Sequence, residues 1–229
     1  METKMFVMKI KKLLAITALF SASILVNAQT QITSTVTKFL GIPIDGTKKE
    51  MVQNLINKGY YYNNDYDCLE GEFNGYNVRI HVVTNNNKVY RICVEDAYSV
   101  NETDIKNRFN RLLQQFRNNQ RYFSIEDHEI HEQEDISYEM SVNNKRFKAT
   151  FIQIEQAPEK EVQDLVHNKY GNNKNFDDLN DSEQLEISLD YLSNHIEKSV
   201  WFMINENYGK YKILMFYDNL RNQANGDDL

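Results

Sequence analysis

The sequence predicts an α+β fold, an antiparallel sheet of seven to nine strands with three or four helices packed on it. Three observations lead there. Asn-Gly and Asn-Asn pairs recur between short alternating apolar runs, which is hairpin chemistry. Segments with apolar residues at i, i+4 and i+7 lie between those hairpins, as amphipathic helices do. No strand runs into a glycine-rich turn and a helix in the β-α-β manner, which counts against a dinucleotide fold.

The first residues precede the fold. Lys9, Lys11 and Lys12 form a basic start, Leu13 to Val26 is an uncharged apolar run, and Val26-Asn27-Ala28 is a small-residue cleavage site. The pattern is that of a secretory signal peptide, residues 1–28, cut between Ala28 and Gln29. The mature protein, residues 29–229, is then periplasmic or secreted. Four Lys and one Glu depart with the signal, taking the net charge from −7 to −10. An acidic chain without a basic cluster is a poor match for nucleic acid or an anionic membrane surface. Asn is over-used, 28 residues in all, and its tolerance of left-handed backbone angles makes its runs turn signals.

After a short strand around 37–44, Gly41-Ile42-Pro43-Ile44-Asp45-Gly46-Thr47-Lys48-Lys49 has the glycine spacing of a phosphate-binding loop. Thr47 stands where that loop needs Lys, and Pro43 removes an amide. Thr47 to Glu50 reads instead as a capping box, opening a helix with the stripe Met51, Val52, Leu55 and Ile56 and a stop at Gly59. A three-strand meander follows, near 60–73, 76–84 and 88–96. The Asn74-Gly75 turn pairs Leu69 with Ile80 and Gly71 with Val78, and a three-residue turn at Asn85 to Asn87 pairs Ile80 with Ile92, Val82 with Tyr90 and Val78 with Val94. The opposite face then collects Glu70, Arg79 and Cys93 in one row and Cys68, His81 and Arg91 in the next. At that offset Cys68 and Cys93 lie roughly 11 to 12 Å apart, so no disulfide is expected between them.

Asn101 caps a helix carrying Ile105, Phe109, Leu112 and Phe116. A strand near 122–125 leads through an acidic connector to an expected hairpin, 136–142 and 145–154 around Asn143-Asn144, pairing Met140 with Phe147, Tyr138 with Ala149 and Ile136 with Phe151. Pro158 opens a helix with Val162, Leu165, Val166 and Tyr170. Leu185, Leu189, Leu192 and Ile196 mark another, although Ile187 and Tyr191 also permit an alternating strand. Val200 to Ile204 and Ile213 to Tyr217 are nearly continuous apolar runs, expected to lie centrally with both faces covered. The tail, 219–229, reads as polar and frayed. Two loosely related halves, 36–120 and 121–218, are compatible with this order within one mature domain.

Two segments, Lys38 to Tyr60 (KFLGIPIDGTKKEMVQNLINKGY) and Val200 to Leu229 (VWFMINENYGKYKILMFYDNLRNQANGDDL), resemble a group of uncharacterised exported proteins of Bacteroidota. That group is marked by an F-L-G-I-P-x-D-G-[ST]-K segment and a Y-G-K-Y…Y-D-N ending. The resemblance implies export from a Gram-negative cell and carries over no catalytic residue. In outline the capped helix on a meander is similar to the helix-plus-sheet modules of beta-lactamase-inhibitor-like and outer-membrane-assembly proteins, which bind other proteins.

Candidate sites are few. His128 and His131, in the run Asp127 to Asp135, are the candidate metal ligands, but they lack the H-E-x-x-H spacing that puts two imidazoles on one helix face. No G-x-S-x-G nucleophile elbow is present, and no carboxylate pair stands out for glycoside hydrolysis. Tyr60, Tyr61, Tyr62 and Tyr66 form an aromatic cluster suited to a protein interface or to stacking on sugars. The reading is an exported binding module for a protein or glycan partner, needing no cofactor. The alternatives are a metal-dependent or carboxylate-based hydrolase and a carbohydrate-binding module.

Overall fold

The computed structural model of the protein describes residues 36–154, 159–194 and 197–223. They form two compact units: residues 36–153 with 197–223, and residue 154 with 159–194.

The larger unit is built on an eight-stranded antiparallel sheet. Its strands are β3 (Tyr61–Asn63), β4 (Cys68–Phe73), β5 (Tyr76–Asn85), β6 (Lys88–Asp96), β7 (Tyr122–Asp127), β8 (Lys148–Gln153), β9 (Ser199–Asn207) and β10 (Lys210–Asp218). The spatial order is β3-β4-β5-β6-β10-β9-β8-β7. It is two four-stranded meanders joined where their last strands, β6 and β10, pair from Leu214↔Glu95 to Asp218↔Arg91. Each meander is preceded by its own helix, α1 (Lys48–Asn57) before β3 and α2 (Glu102–Asn118) before β7. Met51 and Leu55 of α1 and Ile105, Phe109, Leu112, Leu113 and Phe116 of α2 share one apolar core with Ile80, Val94, Phe202 and Met215 of the sheet.

Local chemistry explains the helix starts. Thr47 Oγ1 accepts from Glu50 N at 3.3 Å and Glu50 Oε2 accepts from Thr47 N at 2.9 Å, the reciprocal capping box. Asn101 caps α2 by accepting from Asp104 N at 2.9 Å.

Elsewhere the structure departs from the sequence pattern for identifiable reasons. Residues 37–44 fold back on themselves as β1 (Lys38–Phe39) and β2 (Ile42–Pro43), because Leu40 and Gly41 take φ of 52° and 80° and make a tight turn. The run 60–73 is two strands, broken where Asp65 N donates to Asn63 Oδ1 and Asp67 takes φ of 48°. Between β5 and β6 the turn has two residues, Asn86-Asn87, and a bulge at Val83/Thr84 restores the parity that a shorter turn would reverse. The pairs are Val78↔Asp96, Ile80↔Val94 and Val82↔Ile92, two residues from the expected register; Val78 to Val82 and Ile92 to Val94 keep their expected faces, but Tyr90, expected opposite Val82, is left unpaired at the bulge and Val89 enters the core instead.

The expected hairpin at 136–154 does not form. Ile136–Ser141 is a short helix, α3, and β8 pairs instead with β7 and β9. Asp135 Oδ1 accepts from Tyr138 N, and Ile136 N donates to Glu102 Oε1 at 3.0 Å, which fixes the helix start on α2. Ile136 and Met140 face the core four residues apart while Tyr138 is exposed, as a helix requires and a strand forbids. Strands β9 and β10 are central, but buried residues alternate with half-buried ones, so one face is closed and the other partly open. On the open face Trp201 stacks on Phe216 with centroids 4.0 Å apart. Asn219, at the start of the expected frayed tail, is buried. Its Nδ2 donates to Ile44 O, and Leu220–Asn222 forms a 3₁₀ turn. Residues 224–229 lie outside the described residues.

The smaller unit carries α4 (Glu159–Tyr170), a 3₁₀ turn (Phe176–Asp178) and α5 (Asp181–Ser193). Pro158 and Ile196 lie outside the described residues. A capping box joins Asn180 and Glu183. The buried face of α5 is Gln184, Ile187, Ser188, Tyr191 and Leu192, so Leu189, expected inside, is outside.

One interaction in the core of the larger unit carries charge. Arg108 of α2 donates through Nη2 to Asp96 Oδ1 at 3.1 Å, its guanidinium lies 3.4 Å from the centroid of the Tyr76 ring, and Asp96 Oδ2 also accepts Ile213 N at 3.2 Å. Both side chains are nearly inaccessible. Removing one partner strands the other in a dry core, so Asp96→Ala is expected to cost about 3 to 5 kcal/mol. Urea denaturation of the protein measures it, with Asp96→Ala/Arg108→Met recovering most of the loss.

Candidate binding surface

The Gly41 to Lys49 stretch begins a helix. The amides that a phosphate would need are taken by the chain's own carboxylates: Gly46 N donates to Asp45 Oδ1 at 2.8 Å and Thr47 N to Glu50 Oε2. The Asn222 amide bonded to Asp45 and the Thr47 groups bonded to Glu50 hold both carboxyls below their ordinary range. Anionic Glu50 completes the helix end electrostatically.

The four clustered tyrosines lie in different environments. Tyr60 is buried, its hydroxyl donates to Glu72 O at 3.1 Å, and its ring lies so close to Gly71 that a Cβ there would fall 2.7 Å from Tyr60 Cδ1. Tyr62 is partly buried against the core and donates to Asp67 Oδ1 at 2.5 Å, while Lys48 Nζ holds the other oxygen at 2.6 Å. The Lys48 bond first, and then the Tyr62 bond, lower the Asp67 carboxyl, and the bond to Asp67 raises the Tyr62 phenol. Tyr61 and Tyr66 are exposed, with the Arg79 guanidinium 5.9 Å from the Tyr66 ring centroid.

His128 and His131 lie exposed in the connector after β7. That connector is pinned to α2: Arg117 Nε donates to Asp127 Oδ2 at 2.7 Å, Arg117 Nη1 to Glu129 Oε1 at 2.5 Å, and Asn110 exchanges two bonds with the backbone of buried Ile130. Its acidic residues thus have a structural use. Among the described residues no three His, Cys, Asp or Glu side chains gather into a metal-holding group. Cys68 and Cys93 are free. The shifted register puts Cys93 opposite His81 on β5, with Cys68 one strand further, about 10 Å from Cys93 at ordinary strand spacing.

Another set of exposed aromatic side chains is carried by segments tied to the end of the sheet where α2 begins. Tyr208 forms the tip of the β9–β10 hairpin and is 97 % exposed. Tyr98 lies in the segment after β6, which reaches the start of β10 through the Val100↔Tyr211 bridge, and is 72 % exposed. Tyr138 and Val142, on and after α3, are also exposed; α3 is bonded to the first turn of α2, and Ile204 N, on β9, donates to Phe147 O. These residues are separated by up to 110 positions in the chain, and clustering along the sequence could not have found them. The available signal was local: Tyr208-Gly209 occupies a hairpin tip where Asn-Gly is the favoured pair.

Comparisons with protein-family models, curated proteins and solved structures find no match for this chain. No helix among the described residues is long and apolar enough to cross a membrane.

The thiols give a direct check on the sheet. Burial raises both, Cys93 to about 11, with Glu95 adding to the rise. About one Cys93 in a thousand is ionised at pH 8. In the folded protein both cysteines should resist alkylation over hours, and both should react within minutes in guanidinium.

Proposed function

We propose that the mature chain is an exported, non-catalytic binding module that meets a protein partner with the loop end carrying Tyr98, Tyr138 and Tyr208. Export rests on the sequence, since residues 1–28 lie outside the described residues: a basic start, an uncharged apolar run and the Val26-Asn27-Ala28 site. Binding rests chiefly on one observation. Three segments distant in sequence present exposed tyrosines at one end of a rigid sheet, the arrangement by which loops on a scaffold form contact surfaces. Tyrosine suits that use, because it offers a large amphipathic surface with only two side-chain torsions to immobilise.

N-terminal sequencing of the protein recovered from its native cell should begin at Gln29; a start upstream of Leu13 would remove the export reading. For binding, the immobilised mature chain is compared with Tyr98→Ser/Tyr208→Asn and with Tyr61→Ser/Tyr66→Ser against an envelope extract. The first pair should reduce capture of specific proteins by about tenfold or more, equivalent to about 1.4 kcal/mol, without lowering the melting temperature. Unchanged capture by that pair would reject the loop end. Loss only in the second pair would move the contact to the β3 edge, and capture that survives protease but not periodate treatment of the extract would mean a glycan partner.

A further inference from the structure

Arg108 is buried with only part of its hydrogen-bonding capacity used. Its Nε and Nη2 face the two oxygens of Asp96 at 3.5 Å and 3.1 Å, so one edge of the planar guanidinium is spent on that pair. Nη1 lies off that edge. It is enclosed, and no acceptor among the described residues reaches it. Asp96 is not free to serve it, because Oδ2 also accepts the Ile213 amide at 3.2 Å. Buried donors without an acceptor are rare in folded proteins, and an ion or a water from outside the chain is the usual reason for one.

A second guanidinium stands beside the first. Arg111, three residues further along α2, is exposed, and its Nη1 donates to the Tyr76 hydroxyl at 3.3 Å. It has no carboxylate partner among the described residues. Tyr76 touches both arginines, since its ring centroid lies 3.4 Å from the Arg108 guanidinium carbon. Its hydroxyl accepts from Arg111, so the phenolic hydrogen is left to donate. Asp104, one turn before Arg108 on the same side of α2, is engaged with its cap, taking Asn101 Nδ2 at 2.8 Å. In a chain of net charge −7, donors of two guanidinium groups and a phenol are therefore left over around one ring.

We propose that Arg108, Arg111 and Tyr76 bind a small oxyanion, a carboxylate or a phosphate group carried by a ligand, at the flank of α2 that faces the start of β5. A guanidinium fork matches either group, and its charge-assisted bonds are the strong ones. Arg111, held by one long bond to a phenol, swings out to admit the anion and closes on it from the solvent side. Arg108 Nη1 then holds the anion from within, and the Tyr76 hydroxyl donates the third bond. A small anion is favoured over a polyanion, which the acidic chain repels. The site is separate from the loop end of Tyr98 and Tyr208 and stands or falls without it.

The probes are inorganic phosphate and acetate, titrated into isotopically labelled protein against sodium chloride of equal ionic strength and followed by backbone and arginine side-chain signals. Binding should saturate in the millimolar range and shift Tyr76, Arg108 and Arg111 ahead of other residues. Saturation by phosphate alone assigns the site to phosphate groups; saturation by acetate assigns it to carboxylates. Arg111→Gln should weaken binding about tenfold, and Tyr76→Phe, which keeps the ring over Arg108, about threefold. Arg108 stays in place, because its loss would strand Asp96. Saturating ligand should raise the melting temperature of the parent and leave that of Arg111→Gln nearly unmoved. Shifts that follow ionic strength alone, titrations that never saturate, or an affinity unchanged in Arg111→Gln would overturn the site and leave Arg108 Nη1 to an internal water.

Discussion

The seam between β6 and β10 holds the larger unit together, because among the described residues it is the only strand pairing that joins the two meanders. It is clamped at both ends by arginine and aspartate. At one end, on the helix-covered face, Asp96 takes Arg108 and the Ile213 amide; at the other, on the open face, Arg91 bonds its directly opposed neighbour Asp218 through Nε at 2.6 Å and Nη2 at 2.8 Å, with Trp201 Nε1 adding a third bond at 2.9 Å. Apolar strands of similar sequence could slide by two residues without exposing anything; each carboxylate would then lose its partner. Buried ion pairs contribute weakly to net stability, but they penalise the wrong register heavily. The clamp therefore serves uniqueness of pairing more than strength.

The same seam accounts for the aromatic character of the open face. Arg91, held by Asp218, lies 4.9 Å from the Phe216 ring centroid and 5.5 Å from that of Trp201, and Trp201 stacks on Phe216. The apolar runs in β9 and β10 reflect this self-covering stack rather than a second core. Continuous hydrophobicity and burial on both faces are thus separable, and here only the first holds.

What could be read in the sequence was whatever short-range chemistry decides. The Thr47 to Glu50 box, the Asn101 cap, the Asn74-Gly75 turn and the spacing of Ile105, Phe109, Leu112 and Phe116 each contain their own explanation, and α1, α2 and the β4–β5 register follow from them. What could not be read depended on distant partners. Ile136 to Met140 satisfies both a strand and a helix until Glu102, far away in the chain, accepts the Ile136 amide. The bulge at Val83/Thr84 has no residue signature, and it moves the pairing by two residues and takes Tyr90 out of the ladder while Val78 to Val82 stay on the face that alternation predicts. The candidate surface was hidden for the same reason: Tyr60 to Tyr62 are neighbours in sequence and point to different fates, whereas the segments of Tyr98 and Tyr208 are tied to one end of the sheet only through the Val100↔Tyr211 bridge.

The smaller unit enters the chain between β8 and β9, which are adjacent and paired in the sheet, with Gln153 N donating to Lys198 O across the junction. To the sheet, everything between those two residues is a single hairpin loop. Chain closure grows only logarithmically with loop length, so halving or doubling such an insert alters the closure entropy by about 0.6 kcal/mol. The cost of carrying a helical unit there is nearly independent of what the unit is. Position 153/198 is in that sense a socket, where helices can be lengthened, replaced or lost in the course of divergence while the sheet, its seam and its loop end keep their form.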